Sequence, residues 1–225
     1  MIKATYIDHM GSDLSVVNAA RVSFGKKSDW NYHALGINGN GTLAEGVSMK
    51  NKDTKLIQYL AKHKHMSPFG HAFATFHVKA PVFVARQLVK HKFLRWNEIS
   101  RRYVDSEPEF YVPGIWRGKS EDKKQGSEGE VSCPVRPEML YKDAIESYNT
   151  MLEAGICPEQ ARMVLPQSMM TEWYWSGSLD AFSDMCLLRC ASDTQVETQS
   201  VANQISVKMH ELFPVSWMAL GTRRE

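Results

Sequence analysis

The sequence lacks both a long apolar run and a secretion signal. No stretch of its 225 residues approaches the roughly 18 uninterrupted apolar residues that a membrane-spanning helix needs. Residues 1–14 do not show the charged-then-apolar pattern of a signal peptide. Hydrophobic residues make up 43% and charged residues 23% of the chain, which is typical of a globular protein. We therefore expect a cytoplasmic protein with no membrane partner.

Neither charge nor cysteine content indicates a special class of protein. The net charge of +2 is close to neutral, so the overall balance does not favour a nucleic-acid-binding protein. The four cysteines form no CxxC pair, and we expect reduced thiols. Cys186 and Cys190 lie one helical turn apart, where they are able to react or bind metal, although two quiet, half-buried thiols are the favoured interpretation.

Two kinds of ligand motif are also missing. The spacing of the histidines between His63 and His77 resembles no standard zinc pattern, so we expect no metal site. The chain contains no GxGxxG and no Walker-type loop. Any nucleotide must therefore be bound by another arrangement of side chains.

The hydrophobic pattern predicts a single α+β domain over residues 1–225. Strands are predicted at 1–7 and 72–78, and Thr171–Trp175 is predicted as either a short strand or the end of a helix. The predicted helices cover 14–24, 53–62, the segment from Pro81, 137–154, 158–164, 178–190 and 194–212. Segments 25–50 and 115–135 are rich in polar residues and glycine, and are predicted to be surface excursions without regular structure.

The densest polar segment is KHKFLRWNEISRRY, residues 90–103. Six cations and one acid lie between Arg86 and Arg102, which favours a local anion site. Cations at the C-terminus of a helix interact favourably with its dipole, which is sufficient to explain residues 90–92. That explanation does not extend to the residues that follow, which offer donors and acceptors suited to a phosphate and a planar base: Asn97, Glu98, Ser100 and Arg102.

This segment resembles the signature of the flavin-dependent thymidylate synthases, which is Arg-His-Arg, seven residues, then Ser. His91, Asn97, Glu98, Ser100, Arg102 and Tyr103 match it. Further segments match in the same order, namely DLSVVNAARVSF (13–24), KHKHMSPFGHAFATFHVKAPVFVARQ (62–87), ARMVLP (161–166) and LLR (187–189). The resemblance covers most of the chain outside 25–50 and 115–135.

The resemblance implies a mixed sheet flanked by helices, and a homotetramer whose active sites lie where subunits meet. It implies FAD as cofactor, reduction by NADPH, and methylation of dUMP with the carbon of methylenetetrahydrofolate. No enzyme cysteine attacks the uracil in this family, and no cysteine here has the Pro-Cys-Gln context of the unrelated thymidylate synthases that use one.

The resemblance also assigns site residues by position. Arg189 matches the catalytic arginine beside the uracil ring, where a fixed cation stabilises developing negative charge. The positions expected to contact dUMP are Arg86, Gln87, Lys90, Glu98, Ser100, Arg101, Arg102, Arg162 and Arg189. The positions expected to contact FAD are Ser23, His65, Ser67, Lys90, His91, Lys92, Asn97, Glu98, Ser178 and Asp184.

Three departures from the family pattern stand out. Lys90 and Lys92 replace arginines, and lysine is a point charge without the planar fork that binds phosphate through paired hydrogen bonds. Asp180 lies where the family commonly has the arginine of Asn-x-Arg. A carboxylate near a phosphate predicts FAD binding weaker than is usual in the family.

Two other functions remain open at this point. One is a single-stranded nucleic-acid-binding module that uses the basic 86–102 segment, with Phe93, Trp96 and Tyr103 as stacking platforms. The other is a degenerate family member without catalytic activity. The near-neutral charge argues against the first, and the matches at the dUMP positions argue against the second.

Overall fold

The computed structural model describes residues 1–37, 43–104, 106–121 and 126–222. Its strands are β1 (Lys3–Met10), β2 (Asn31–Ile37), β3 (Leu43–Ser48), β4 (Phe73–Pro81), β5 (Leu94–Glu98), β6 (Arg117–Lys119), β7 (Ser127–Glu130) and β8 (Met170–Ser178). Its helices are α1 (Asp13–Arg21), α2 (Asn51–Lys62), α3 (Val82–Leu88), α4 (Pro137–Glu153), α5 (Pro158–Ala161), α6 (Leu179–Arg189), α7 (Val196–Leu212) and α8 (Pro214–Gly221). None of the helices in these ranges has both the length and the apolar character to span a membrane.

The main sheet has the strand order β1-β4-β8-β5, and every pair of neighbours in it is antiparallel. The resemblance implied a mixed sheet, and that prediction is therefore wrong. β4 and β5 do run in the same direction, and α3 connects them as in a parallel crossover. However, β8 lies between them and is antiparallel to both, so no parallel pair forms.

One face of this sheet is covered by helices. Side chains alternate along a strand, so every second residue faces the same side. Phe76 and Val78 of β4 and Trp173 and Trp175 of β8 are buried on the helix-covered face, which packs against α6 and α7. The opposite face carries Tyr174, which is 51% exposed. The α+β prediction is confirmed as a two-layer arrangement.

Most predicted elements are present, and Thr171–Trp175 lies within β8. The excursions at 25–50 and 115–135 do contain regular structure, because β2 pairs with β3 and β6 with β7. Each of these sheets has only two strands. A hairpin that does not join the main sheet has no face to bury against the core, so it needs no alternating apolar residues. For this reason the two segments have the polar composition that predicted loops. Residues 38–42 and 122–125 of these excursions lie outside the described residues.

A buried aspartate joins the two ends of the chain. Asp13, in the first turn of α1, is 3% exposed and accepts hydrogen bonds from the backbone amides of Val215 at 3.0 Å and Ser216 at 2.8 Å. These amides belong to the first turn of α8 and have no partner within that helix. The Asp13 carboxylate therefore caps α8 from a distant part of the sequence.

We predict that Asp13→Ala lowers the free energy of unfolding by about 2 kcal/mol, because two buried donors lose a charged acceptor. Asp143→Ala, at an exposed position of α4, is the control and should change stability by less than about 0.5 kcal/mol. Urea denaturation followed by circular dichroism measures both values. Equal stability of the two variants would contradict the capping role.

Candidate active site

The C-terminal ends of α3 and α6 meet at a cleft, hereafter the Arg189 cleft. Gln87 lies in the last turn of α3, Lys90 follows that helix, and Arg189 is the last residue of α6. All three line the cleft, whose volume is about 680 Å³. Three of the residues predicted to contact dUMP, from segments about 100 residues apart, are therefore brought together within one chain.

Arg189 is fixed by two hydrogen bonds. Its Nε donates to Nε2 of His91 at 2.9 Å, and its Nη2 donates to the backbone carbonyl of Gln87 at 3.4 Å. Burial lowers the pKa of the Arg189 guanidinium from its ordinary value. These bonds use two of the five guanidinium N–H donors. Within the described residues, the other three N–H groups have no hydrogen-bond acceptor and are available to a ligand.

His91 must be neutral to accept this bond, since a protonated imidazole has no free lone pair. Burial lowers its pKa, the Arg189 charge lowers it further, and Asp184 acts in the opposite direction, which leaves the pKa at about 4. Asp184, on the same helix as Arg189, was predicted to contact FAD and is here an electrostatic neighbour of His91. At neutral pH, His91 is therefore a neutral hydrogen-bond acceptor and Arg189 is its cationic donor.

Two residues that the sequence analysis missed orient Gln87. Its Nε2 donates to Oε1 of Gln195, and its Oε1 accepts from the hydroxyl of Thr198 at 3.2 Å. Both partners lie at the start of α7. The sequence feature that could have indicated their role is the largely polar run TQVET at 194–198. That run also resembles the start of an ordinary helix, so it does not distinguish the two cases.

The turn between α3 and β5 holds the predicted flavin positions Lys90 and Lys92 at the surface. The turn ends at Phe93, which has a positive φ of 65° and a side chain 83% exposed. β5 approaches β8 closely here, because a Cβ on Gly177 would lie 3.2 Å from the Phe93 carbonyl oxygen. The exposed ring of Phe93 therefore lies in the same surface turn as Lys90 and Lys92.

A second group of predicted residues, hereafter the Arg102 cluster, comprises Ser100, Arg102, Arg162 and the unpredicted Glu159. Arg102 Nε lies 2.5 Å from Oε1 of Glu159, and both side chains are about half exposed (49% and 51%). Arg162 Nε donates to the backbone carbonyl of Glu159 at 3.3 Å. The Ser100 hydroxyl accepts from the amide of Arg102 at 3.3 Å. Arg102 thus pairs with the Glu159 carboxylate, whereas Arg162 bonds the backbone of the same residue.

Glu98 ends β5, on the side of the Arg102 cluster. Its carboxylate accepts from the Thr171 hydroxyl at 2.6 Å and from the indole of Trp96 at 3.0 Å. β5 runs from Leu94 to Glu98, and four steps of about 3.3 Å separate its ends by about 13 Å. The Arg189 cleft and the Arg102 cluster therefore lie at opposite ends of β5 within one subunit.

The remaining predicted residues are dispersed. Arg86 and Asn97 are exposed, and Arg101 donates to the backbone carbonyl of Ser106. Ser178 is 8% exposed at the N-cap of α6, and Oδ1 of the nearby Asp180 is buried with no hydrogen-bond partner among the described residues. The other three predicted flavin positions lie at the surface, near the N-terminal half of the chain: Ser23, His65 and Ser67.

Several predicted site residues have strongly exposed apolar neighbours. Phe24, beside Ser23, is 77% exposed, and Tyr103, beside Arg102, is 80% exposed. Met163, beside Arg162, is 78% exposed. Single exposed apolar residues are common, and a ligand or a neighbouring chain that covers these positions would account for their exposure here.

Comparison with known proteins identifies the family. A family model described as thymidylate synthase complementing protein matches residues 5–215. The flavin-dependent thymidylate synthase of Thermus thermophilus is 38% identical over 216 residues, covering 95% of this chain and 73% of the relative. That of Thermosipho melanesiensis is 36% identical over 214 residues, covering 92% and 85%. The crystal structure of the UMP/dUMP methylase PolB from Streptomyces cacaoi, bound with 5-Br dUMP, is 32% identical with a TM-score of 0.77, covering 97% of this chain and 94% of that one.

The chain belongs to the family of thymidylate synthase complementing proteins, the flavin-dependent thymidylate synthases. It is accordingly an enzyme. The family predicted from the signature at residues 90–103 is thus confirmed, although the roles of individual residues remain predictions.

We predict that the imidazole of His91 titrates with a pKa of about 4 in the folded protein. The unfolded chain protonates it near 6.5, so the unfolded state binds more protons between these pH values and stability falls as the pH drops through that window. An NMR titration of the imidazole carbon–proton signals measures the pKa, and Arg189→Met should raise it. A pKa of about 6 or higher in the unsubstituted protein would contradict the neutral-acceptor arrangement.

Proposed function

We propose that the protein methylates the uracil ring of dUMP to form dTMP, with FAD as cofactor. The observation that carries this proposal is the Arg189 cleft, where a fixed guanidinium with three available donors lies beside an oriented amide. A pyrimidine base presents carbonyl and imide groups along one edge, which match these donors and acceptors. In addition, the relatives are named flavin-dependent thymidylate synthases, and the PolB structure contains 5-Br dUMP.

Arg189 has the central chemical role in this proposal. Negative charge accumulates on N3 and O2 of the uracil as C5 becomes nucleophilic, and a cation already fixed there stabilises it without reorganising. Neutral His91 contributes by holding the guanidinium in one orientation while adding no charge of its own. Gln87, with both amide atoms already bonded to Gln195 and Thr198, is oriented before the ligand arrives.

The arginines of the Arg102 cluster are suited to the nucleotide phosphate. An exposed ion pair such as Arg102–Glu159 contributes only about 0–1 kcal/mol, so a phosphate displaces the Glu159 carboxylate at little cost. Arginine and phosphate pair through two parallel hydrogen bonds, which are stronger than the bond to a single carboxylate oxygen. Glu98 and Ser100 add an acceptor and a hydroxyl nearby in the sequence.

The chain offers groups that fit a flavin dinucleotide at the surface of the α3–β5 turn. Lys90 and Lys92 supply two cations for its diphosphate, and the exposed Phe93 ring is available for stacking. The exposed His65 and Ser67 would add polar contacts, whereas the Asp180 carboxylate does not suit a phosphate. The chemistry that a bound flavin supplies is hydride transfer, which no side chain provides. NADPH as reductant and methylenetetrahydrofolate as carbon donor complete the proposed cytoplasmic reaction.

A complete site requires more than one subunit in this proposal. The Arg189 cleft and the Arg102 cluster lie at opposite ends of β5, and in this proposal one nucleotide uses the cleft of one chain and the cluster of another. The exposed apolar side chains Phe24, Phe93, Tyr103 and Met163 lie beside the proposed ligand positions, as expected if a neighbouring chain covers them. A homotetramer in which each site combines the cleft of one subunit with the cluster of another accounts for both features.

The two alternatives are less well supported. A nucleic-acid-binding module needs a continuous cationic groove, whereas Arg101, Arg102 and Arg189 each have a partner within the chain. A non-catalytic member of the family would not need the bonds that orient Arg189 and Gln87. Turnover by the purified protein distinguishes these functions.

We predict that Arg189→Ala retains FAD binding but lowers kcat for dUMP methylation by about 100-fold or more, because one charge-stabilising donor is lost. Flavin absorption measures cofactor binding, and formation of dTMP measures turnover, with UMP tested beside dUMP because PolB is a UMP/dUMP methylase. Arg136→Ala, at an exposed position of the α4 N-cap, is the control. Unchanged turnover in Arg189→Ala would exclude this role.

A mixing experiment tests the shared site. Arg102→Ala and Arg189→Ala should each be inactive alone, but a mixture that has exchanged subunits should recover up to about a quarter of the activity, since that share of sites combines two intact arginines. A mixture that stays inactive, although mass spectrometry shows mixed oligomers, would indicate that both arginines act within one chain.

We predict that Asp180→Asn tightens FAD binding by about tenfold, equivalent to about 1.4 kcal/mol, because it removes the negative charge of a carboxylate, one oxygen of which is buried without a partner among the described residues. Equilibrium titration of the flavin-free protein with FAD measures the dissociation constant. Asp143→Asn on α4 is the matched control. Equal affinity in the two variants would show that Asp180 does not face the cofactor.

A further inference from the structure

A second cavity lies behind the end of α6. Its volume is about 300 Å³, and Cys186, Cys190 and Trp217 line it. Ala191 lines both this cavity and the Arg189 cleft, so the two spaces share a wall. Both thiols are free, Cys186 buried and Cys190 half-buried. None of the residues used in the proposed reaction lines this cavity, so its two thiols are left without a role.

The two thiols line the same cavity one helical turn apart. The buried Cys186 thiol donates to the backbone carbonyl of Ala202 at 3.6 Å. The neighbouring Cys186 side chain lowers the pKa of Cys190, although burial opposes this, whereas burial raises the pKa of Cys186. Cys190 is therefore the more reactive of the two thiols, and both line the same cavity.

The helical spacing determines what this pair is able to form. Side chains four residues apart on a helix have Cβ atoms about 5–6 Å apart. A disulfide requires about 3.5–4.5 Å, so direct oxidation of Cys186 and Cys190 to a disulfide would distort the end of α6. A single atom bonded to both sulfurs, with bonds of about 2.3 Å like those of metal thiolates, spans the longer distance.

The remaining lining excludes most metal ions. Besides the two cysteines the cavity wall contains serine hydroxyls and apolar groups, and no carboxylate or imidazole. Within the described ranges, no group of three or more His, Cys, Asp and Glu side chains is arranged to hold a metal ion. Zinc requires four ligands and hard cations require oxygen ligands. The two thiols of this cavity are instead suited to a soft, thiophilic atom that needs only two thiolate ligands.

We propose that Cys186 and Cys190 form a dithiol site for thiophilic compounds of the trivalent arsenical class, and that its occupation displaces Arg189. In the reaction with a hydrated aryl arsenical, two As–O bonds break and two As–S bonds form. The two thiol protons leave with the hydroxyls as two water molecules, and arsenic stays trivalent. Cys190 directly follows Arg189, and the cavity shares the Ala191 wall with the Arg189 cleft, so an aryl group bound there crowds the residue that holds the bond to His91.

Phenylarsine oxide is the probe for the site, used on a Cys133→Ser, Cys157→Ser background so that only the pair remains. Intact-protein mass spectrometry should show one phenylarsenic group per folded chain. Cys186→Ala and Cys190→Ser should each weaken its retention by about 100-fold, because the second thiolate no longer binds intramolecularly. Circular dichroism checks that both variants are folded. The site is excluded if the folded background protein takes up no arsenical, or if either variant retains it fully.

NMR of the His91 imidazole measures whether Arg189 is displaced. Its carbon–proton signals should shift when phenylarsine oxide binds the background protein and should not shift in Cys190→Ser. Binding without a shift would overturn the displacement. Neither measurement uses flavin or dUMP, so failure of the dithiol site is distinguishable from failure of the proposed methylation.

Discussion

The insertion of β8 between β4 and β5 is the constraint on which the rest of the structure depends. β4, α3 and β5 follow one another in the chain, yet β5 pairs with a strand that arrives about 75 residues later in the sequence. β5 therefore becomes an edge strand with polar residues at both of its ends. One end continues from the α3 turn, where Lys90 and His91 lie beside Arg189, and the other leads to Arg102.

The same insertion sets the position of α6. β8 ends at Ser178, and α6 begins immediately after it, so the register of β8 determines where the helix ends eleven residues later. That end is Arg189, and its bond to His91 connects α6 to the turn that leads into β5. A slip of β8 by one residue would turn Trp173 and Trp175 out of the core, so packing specifies the register strongly.

Much of this arrangement was predictable from the sequence, for identifiable reasons. The α3 segment and the 90–103 segment carry local patterns whose residue types restrict their chemistry, and Gln87, Lys90 and Arg189 indeed meet in one cleft. The sheet order was not predictable, because the pairing of β5 with β8 is a long-range choice that leaves no local signal. For the same reason Gln195, Thr198 and Glu159 were missed, since each acquires its role only from a partner distant in the sequence.

The Arg102–Glu159 pair has a consequence for what the ligand-free protein attracts. Arg102 has its own counter-anion in the Glu159 carboxylate, whereas Arg162 bonds only the backbone of that residue. In the proposed function a small dianion enters by exchange with this carboxylate, so a ligand that cannot replace the ion pair is disfavoured before any base reaches Arg189.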